Sequence, residues 1–364
     1  MKTMNPIEKE ETDFRNTVTS RALALIRWPL MMCIVAVHVF PPIPVTIDGV
    51  VYDPSSYRLT GMLWKLVEGF LAENVTPFFF ISGYLFMVGE EMTKARYRVK
   101  LQRRIRSLFI PYIIWNILAI LHMALFDQET FATYSWRGLL VGFVMRGWTG
   151  YPHDAPLWFL RDLMLCMLML PVVLPMIRKW NIRPILFMWL ACVGLYMFPS
   201  SYPLLLCSAM CFFYWGVYMA MNTDNLEAYF KQWRCVPCLY VCSSILFVVI
   251  EPYSHAVAMI VKCLNMVVII PFAVNMACWF VRKGYKANRF LTTATFFVFA
   301  AHYIVLKHFR ILAMWLFRPD GEWTMLAAMW TCYFLLLGIL LGCYFLLMRT
   351  VPAFARLLIG KRSA

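Results

Sequence analysis

Arg27 and His38 sit eleven residues apart in the apolar run "RALALIRWPLMMCIVAVHVF", residues 21–40. On a helix turning about 100° per residue, eleven steps return to nearly the same face, roughly 16 Å farther along the axis. One stripe therefore carries a guanidinium near one end and an imidazole near the other. A guanidinium forks around phosphate oxygens, and a neutral imidazole accepts a proton near neutral pH. Ionisable groups at membrane depth face a bundle interior or a wet cavity, which makes both residues functional candidates. The plainer alternative has Arg27 snorkelling to the headgroups and His38 as an interfacial polar residue.

The elements that must carry these groups are membrane helices. Of the 364 residues 62% are apolar and only 15% charged, the balance of an all-α polytopic membrane protein. A span needs about 20 mostly apolar residues. Candidates lie near 23–40, 62–89, 106–126, 157–177, 184–198, 204–221, 235–250, 257–281, 292–317 and 325–348, about ten in all. The second is too long for one straight span, and Asn74 and Pro77 are expected to break it. Residues 137–148, "RGLLVGFVMRGW", are too short to cross and read as an interfacial or re-entrant piece.

Charge sets the orientation. With the N-terminus inside, the segments 1–22, 90–105, 178–183, 222–234, 282–291 and 349–364 hold 23 Lys and Arg, against 4 in the opposite loops. The excess of basic residues on the cytoplasmic side puts both termini there. The expected organisation is a cytoplasmic segment 1–22, a transmembrane domain 23–348 and a cytoplasmic tail 349–364. The first twenty residues have no signal-peptide h-region and are expected to stay in the mature protein. Net charge is +15, but its placement follows topology, so no nucleic-acid partner is implied. Most of the twelve cysteines lie inside apolar runs as small hydrophobes. Cys235 and Cys238 match C-x-x-C without further ligands, so neither a metal nor a disulfide is assigned. No repeat or inverted half is visible, unlike many transporters.

Five stretches, taken in order, resemble the integral-membrane acyltransferase 3 family. They are the Arg and His eleven apart in the first span, "VTPFFFISGYLF" (75–86), "RRIRSLFIPYIIW" (103–115), "LWFLRDL" (157–163) and "TFFVFAAH" (295–302). In the last, Thr295 stands where the family has Ser and Phe299 where it has Tyr, which removes a phenol from that place. The likeness covers about residues 20–348. It implies transfer of an acyl group, most often acetyl from acetyl-CoA, to a carbohydrate hydroxyl at a bacterial cytoplasmic (inner) membrane. The acceptor would be a surface glycan or its lipid-linked precursor. Membrane lipids, acyl-CoA and this carbohydrate are the implied partners, with no permanently bound cofactor.

The residues suit that chemistry. A cytoplasmic polyanion as donor needs cations on the inner side, where Arg103, Arg104 and Arg106 precede the third span and Arg27 faces the same compartment. The bland account of the run from Lys94 to Arg106 is topology and lipid headgroups. Acyl transfer to an alcohol needs a base for the hydroxyl proton, the role expected of His38, by direct attack or through an acyl-histidine. Ser82, Trp158, Arg161, Asp162 and His302 are candidates for shaping the site or meeting the acceptor. Close helix packing is the simpler reading of Ser82 and Gly83, and interfacial anchoring that of Trp158. Arg161 with Asp162 could pair inside the membrane or line the acceptor cavity, and His302 is placed on the inner half of its span. Lys307, His308 and Arg310 follow on that span with no assignable partners. Glu68 and Glu73 flank the broken second span, in reach of Arg27 or Lys65. Gly338 and Gly342 form a weak G-x-x-x-G. The rival class is a multi-span transporter or flippase, with Arg, His and Lys262 lining a path.

Overall fold

The computed structural model describes residues 17–89, 92–145, 150–196, 201–223 and 225–360. Its helices of seven residues or more are, in chain order, α1 (Val18–Leu25), α2 (Arg27–Val39), α3 (Arg58–Leu71), α4 (Thr76–Met87), α5 (Lys94–Arg104), α6 (Ile110–Phe126) and α7 (Trp158–Trp180). They continue as α8 (Arg183–Tyr196), α9 (Ser201–Asn222), α10 (Val236–Ile250), α11 (His255–Arg282), α12 (Arg289–Phe317), α13 (Glu322–Thr350) and α14 (Pro352–Leu358). Among the described residues eight stretches are long and apolar enough to cross a membrane, and Arg183–Leu195 and Val236–Ile250 are shorter apolar helices. Together they occupy the ten expected places, and the chain is an all-α polytopic membrane protein. The two short members differ from full spans. At 1.5 Å per residue, the 15 residues of α10 reach about 22 Å, less than a hydrocarbon core of about 30 Å.

The second expected span does break, between α3 and α4. Pro77 lies in the first turn of α4, where its missing N–H costs nothing. Part of 137–148 is a six-residue helix, Trp136–Val141, and the rest of that stretch lies partly outside the described residues, as do parts of both terminal segments. Cys235 and Cys238 are free and exposed, and among the described residues no group of three His, Cys, Asp or Glu is arranged for a metal.

The chain forms two compact units. The first takes residues up to 30, 73–104 and 162–292. Its tightest seam joins α4 to α9. A Cβ on Gly83 would overlap the backbone carbonyl of Phe213, and a Cβ on Gly216 would overlap the carbonyl of Phe80. Two glycines thus let two backbones meet, the device by which helices associate in lipid without a hydrophobic driving force. The Ser82–Gly83 stretch is therefore a packing feature at Gly83. In the same unit α10 is tied to α11 by polar side chains, Asn265 Nδ2 donating to Ser244 Oγ at 3.0 Å and Ser243 Oγ to Asn265 Oδ1 at 3.1 Å. Glu73 pairs with Lys262 at 3.5 Å, a different cation from those expected for it.

The second unit takes residues 31–72, 105–161 and 293 onward. After α2 the sequence "PPIP" (41–44) stops the helix, because proline cannot donate to the ladder. A hairpin follows, Val45–Ile47 paired antiparallel with Val50–Tyr52. Its two turn residues, Asp48 and Gly49, both have positive φ, 51° and 79°, the pattern that Asp-Gly favours in a tight hairpin. The α3 N-terminus is capped by α13, Glu322 accepting from the backbone N–H groups of Arg58 and Leu59 at 2.8 Å each. Ahead of α6, residues Ile105–Phe109 form a π turn over which the α14 terminus closes. Trp115 Nε1 donates to the Leu358 carbonyl at 3.0 Å, and Gly360, at φ 67°, lies against the Ser107 backbone.

Gly83→Ala and Gly216→Ala should each destabilise the protein by about 1–3 kcal/mol, since backbone, unlike a side chain, cannot rotate away from the added methyl. Thermal unfolding in detergent should also show the double variant costing less than the sum, because the first Cβ already parts the helices. Strict additivity would contradict the shared seam.

Candidate active site

In the second unit the last turn of α2 and the middle of α12 bring four polar side chains together. His38 Nδ1 lies 2.8 Å from the Ile34 carbonyl. A carbonyl only accepts, so Nδ1 carries the proton and Nε2 keeps its lone pair in the neutral ring. The His302 ring stands edge-on to His38, centroids 5.1 Å apart, and Tyr303 does the same at 5.4 Å. His302 shows the same device: its Nδ1 lies 2.6 Å from the Phe299 carbonyl and 3.2 Å from that of Val298. Its side chain is 0% exposed, and its Nε2 has no hydrogen-bond partner among the described residues. His302 therefore stands level with His38 at the end of α2 rather than on the opposite half of the bundle, where the sequence reading put it.

Arg310 fixes the backbone behind His38. Its Nη2 donates to the His38 carbonyl, and to that of Val39 at 3.4 Å. These are terminal carbonyls of a helix that the prolines prevent from continuing. A guanidinium there satisfies groups that lipid would leave bare, and it complements the negative end of the helix dipole.

A cavity of about 530 Å³ opens on this face, and His38, Tyr303, Lys307, Arg310 and the hairpin residues Val45 and Thr46 are among its lining. Tyr303 is the residue that sequence reading missed, and Arg310 was left without a partner. The signal was periodicity. Tyr303, Leu306, Lys307, Arg310 and Ile311 all line the cavity, and they follow the i, i+3, i+4, i+7, i+8 pattern of one helix face.

A second polar cluster surrounds the start of α7. Arg161 is buried, and its Nη1 donates to the carbonyls of Val144 at 2.6 Å and Gly150 at 2.7 Å. His153 Nε2 lies 2.8 Å from the Leu139 carbonyl, and Tyr112 donates to that of Phe143. Arg161 is thus engaged with backbone of the preceding loop, and neither it nor Trp158, which is half-buried, is among the residues lining the cavity. Asp162, in the first unit, is buried, and Ser82 there is half-buried. Of the basic residues before the third span, Arg103 and Arg106 are exposed and Arg104 is half-buried, as is Arg27 at the first turn of α2.

Asp154 stands just before the span Ala155–Trp180. Its backbone N–H donates to Asn116 Oδ1 at 3.1 Å, while both carboxyl oxygens are without a partner among the described residues. Burial pushes this carboxyl well above the usual carboxylate range.

A family model described as an acyltransferase domain matches residues 21–349. No curated protein matches the chain, and no solved structure does.

A carboxyl with a raised pKa binds more protons folded than unfolded, so its contribution to stability falls as pH rises past the unfolded value of about 4. Asp154→Asn removes that loss. Its melting temperature should pull ahead of the native protein's as pH rises from 5 to 8; a constant offset would mean that the carboxyl is not isolated.

Proposed function

Because the chain belongs to the acyltransferase 3 family, and is accordingly a membrane acyltransferase, we propose that it moves an acetyl group from acetyl-CoA to a hydroxyl of a surface glycan or its lipid-linked precursor. Family membership also sets the transporter alternative aside. In this reading the hydroxyl oxygen attacks the thioester carbonyl, His38 Nε2 takes the hydroxyl proton, the carbon–sulfur bond breaks, and the proton passes to the departing thiolate. The observation that carries the reading is the Nδ1 contact of His38 with Ile34. It leaves the lone pair on Nε2 of a ring that lines a cavity.

His302, beneath His38 and without access to the cavity lining, is a positioning residue that holds the His38 ring edge-on. The cationic residues Arg103, Arg104 and Arg106, with Arg27 at the other end of α2, are the contacts proposed for the phosphates of the donor. Their guanidinium groups match phosphate oxygens, and the basic bias of their loop supports a cytoplasmic placement, with both termini on the cytoplasmic side of a bacterial inner membrane.

Purified protein in nanodiscs, supplied with acetyl-CoA and a membrane glycan extract, should release free thiol and add 42 Da per acetyl to the acceptor, an increment fixed by acetyl's mass. Removing a general base costs roughly 10²–10⁴-fold, so His38→Ala should lose about that much while keeping the native melting profile. Undiminished transfer by that variant would overturn the assignment of His38; absence of any acyl-CoA dependence in the native protein would overturn the donor.

A further inference from the structure

The cavity beside His38 contains two cations and no carboxylate among its lining residues, which include Pro41, Ile43, Pro44 and Leu306. Among the described residues Lys307 reaches only Asp127, outside the lining, at 3.5 Å, and both are substantially solvent-exposed. Arg310 uses Nη2 on the carbonyls of His38 and Val39, and its Nε and Nη1 meet no acceptor among the described residues. Lys307 and Arg310 are three residues apart on α12, neighbours on one helix face. Thr46, from the hairpin, adds a hydroxyl to the same wall.

We propose that this cavity holds an anionic group of the acyl acceptor, a phosphate or carboxylate set one sugar's reach from the hydroxyl that is acylated. The inference rests on the acceptor reading of the cavity given above. A neutral sugar would leave Arg310 with no counter-charge among the lining residues, and Lys307 with only its exposed pair to Asp127. An oxyanion answers both, taking the guanidinium fork on one edge and the ammonium on the other. It also accounts for geometry. Arg310 donates to the carbonyl of His38 itself, so an anion on the free edge of that guanidinium lies next to the base. The volume, about 530 Å³, lies within the range of small-molecule sites and leaves room for a charged group beside the reacting sugar. Asp127, whose carboxyl is held below the usual range chiefly by its hydrogen bond with Thr130 and further by Lys307, competes with a ligand for Lys307 and offsets its charge.

The test is ligand-induced thermal stabilisation of the detergent-purified protein, titrated with glucuronate, inorganic pyrophosphate, glucose and adenosine 3′,5′-diphosphate, the last a stand-in for the donor's head. Glucuronate or pyrophosphate should stabilise at concentrations where glucose does not, the one that does so identifying a carboxylate or a phosphate acceptor. Lys307→Gln should weaken that anion about tenfold, the order of one charge-assisted hydrogen bond, and Asp127→Asn should strengthen it. Lys307-independent binding, no binding of either anion, or Lys307-dependent binding of the nucleotide alone would each overturn the proposal. Thiol release from acetyl-CoA is scored separately. Its failure counts against the transferase reading, whereas anion insensitivity with intact transfer counts against this inference alone.

Discussion

The site depends on how one helix ends. In lipid every backbone carbonyl must find a donor within the protein, and α2 runs into the segment PPIP (41–44), whose single N–H, that of Ile43, goes to the Pro41 carbonyl rather than to the helix end. Arg310 supplies the donors, reaching from α12 to the carbonyls of His38 and Val39. That contact sets the end of α2 against α12. Counting back along α12, it brings Lys307, Tyr303 and His302 to the level of the His38 ring. It also sets where the chain leaves the helix, and hence where the prolines and the hairpin form the opposite wall of the cavity. A guanidinium holding a helix end beside the imidazole of His38 is thus a structural cap that also sets a positive charge at the cavity wall.

The chemistry follows from geometry that is mostly local. Both His38 and His302 place Nδ1 against a carbonyl three or four residues earlier on their own helix. The tautomer is therefore set by helix geometry, before any tertiary contact. What tertiary packing decides is access. His38 lines the cavity, whereas His302 is closed in by neighbouring aromatic rings such as Phe299. In the proposed reaction the cavity-lining imidazole is the one that would exchange a proton with a ligand, and the buried one would hold its orientation. The cluster around Arg161 has the complementary task of tying down the loop before α7, using backbone carbonyls as its acceptors.

Most of the architecture was legible because lipid enforces it. Ten apolar stretches and the break in the second span at Asn74 and Pro77 express the rule that a membrane helix must be long, apolar and self-satisfied. The site was legible in part. Arg27 and His38 stood out because ionisable groups are rare in such runs, and His302 because of its motif. Tyr303 did not, since an aromatic near a membrane interface has a ready bland explanation. The partners of Arg310, Glu73 and Arg161 were hidden for a different reason. Each is separated from its partner by loops or by whole spans, or is satisfied by main-chain carbonyls, which no residue pattern announces. The glycine seam of α4 against α9 likewise belongs to packing rather than to composition.

The central claim is that His38 presents the lone pair of Nε2 because Ile34 holds the proton on Nδ1. It is tested most directly by ¹⁵N NMR of selectively labelled histidine in the nanodisc-embedded protein, with His38→Gln used to assign the resonances. A neutral His38 with its proton on Nδ1 and a pyridine-like Nε2 is the predicted result. A neutral ring with the proton on Nε2 would contradict the account, because Nε2, the nitrogen not engaged by Ile34, would then have no lone pair to receive a hydroxyl proton.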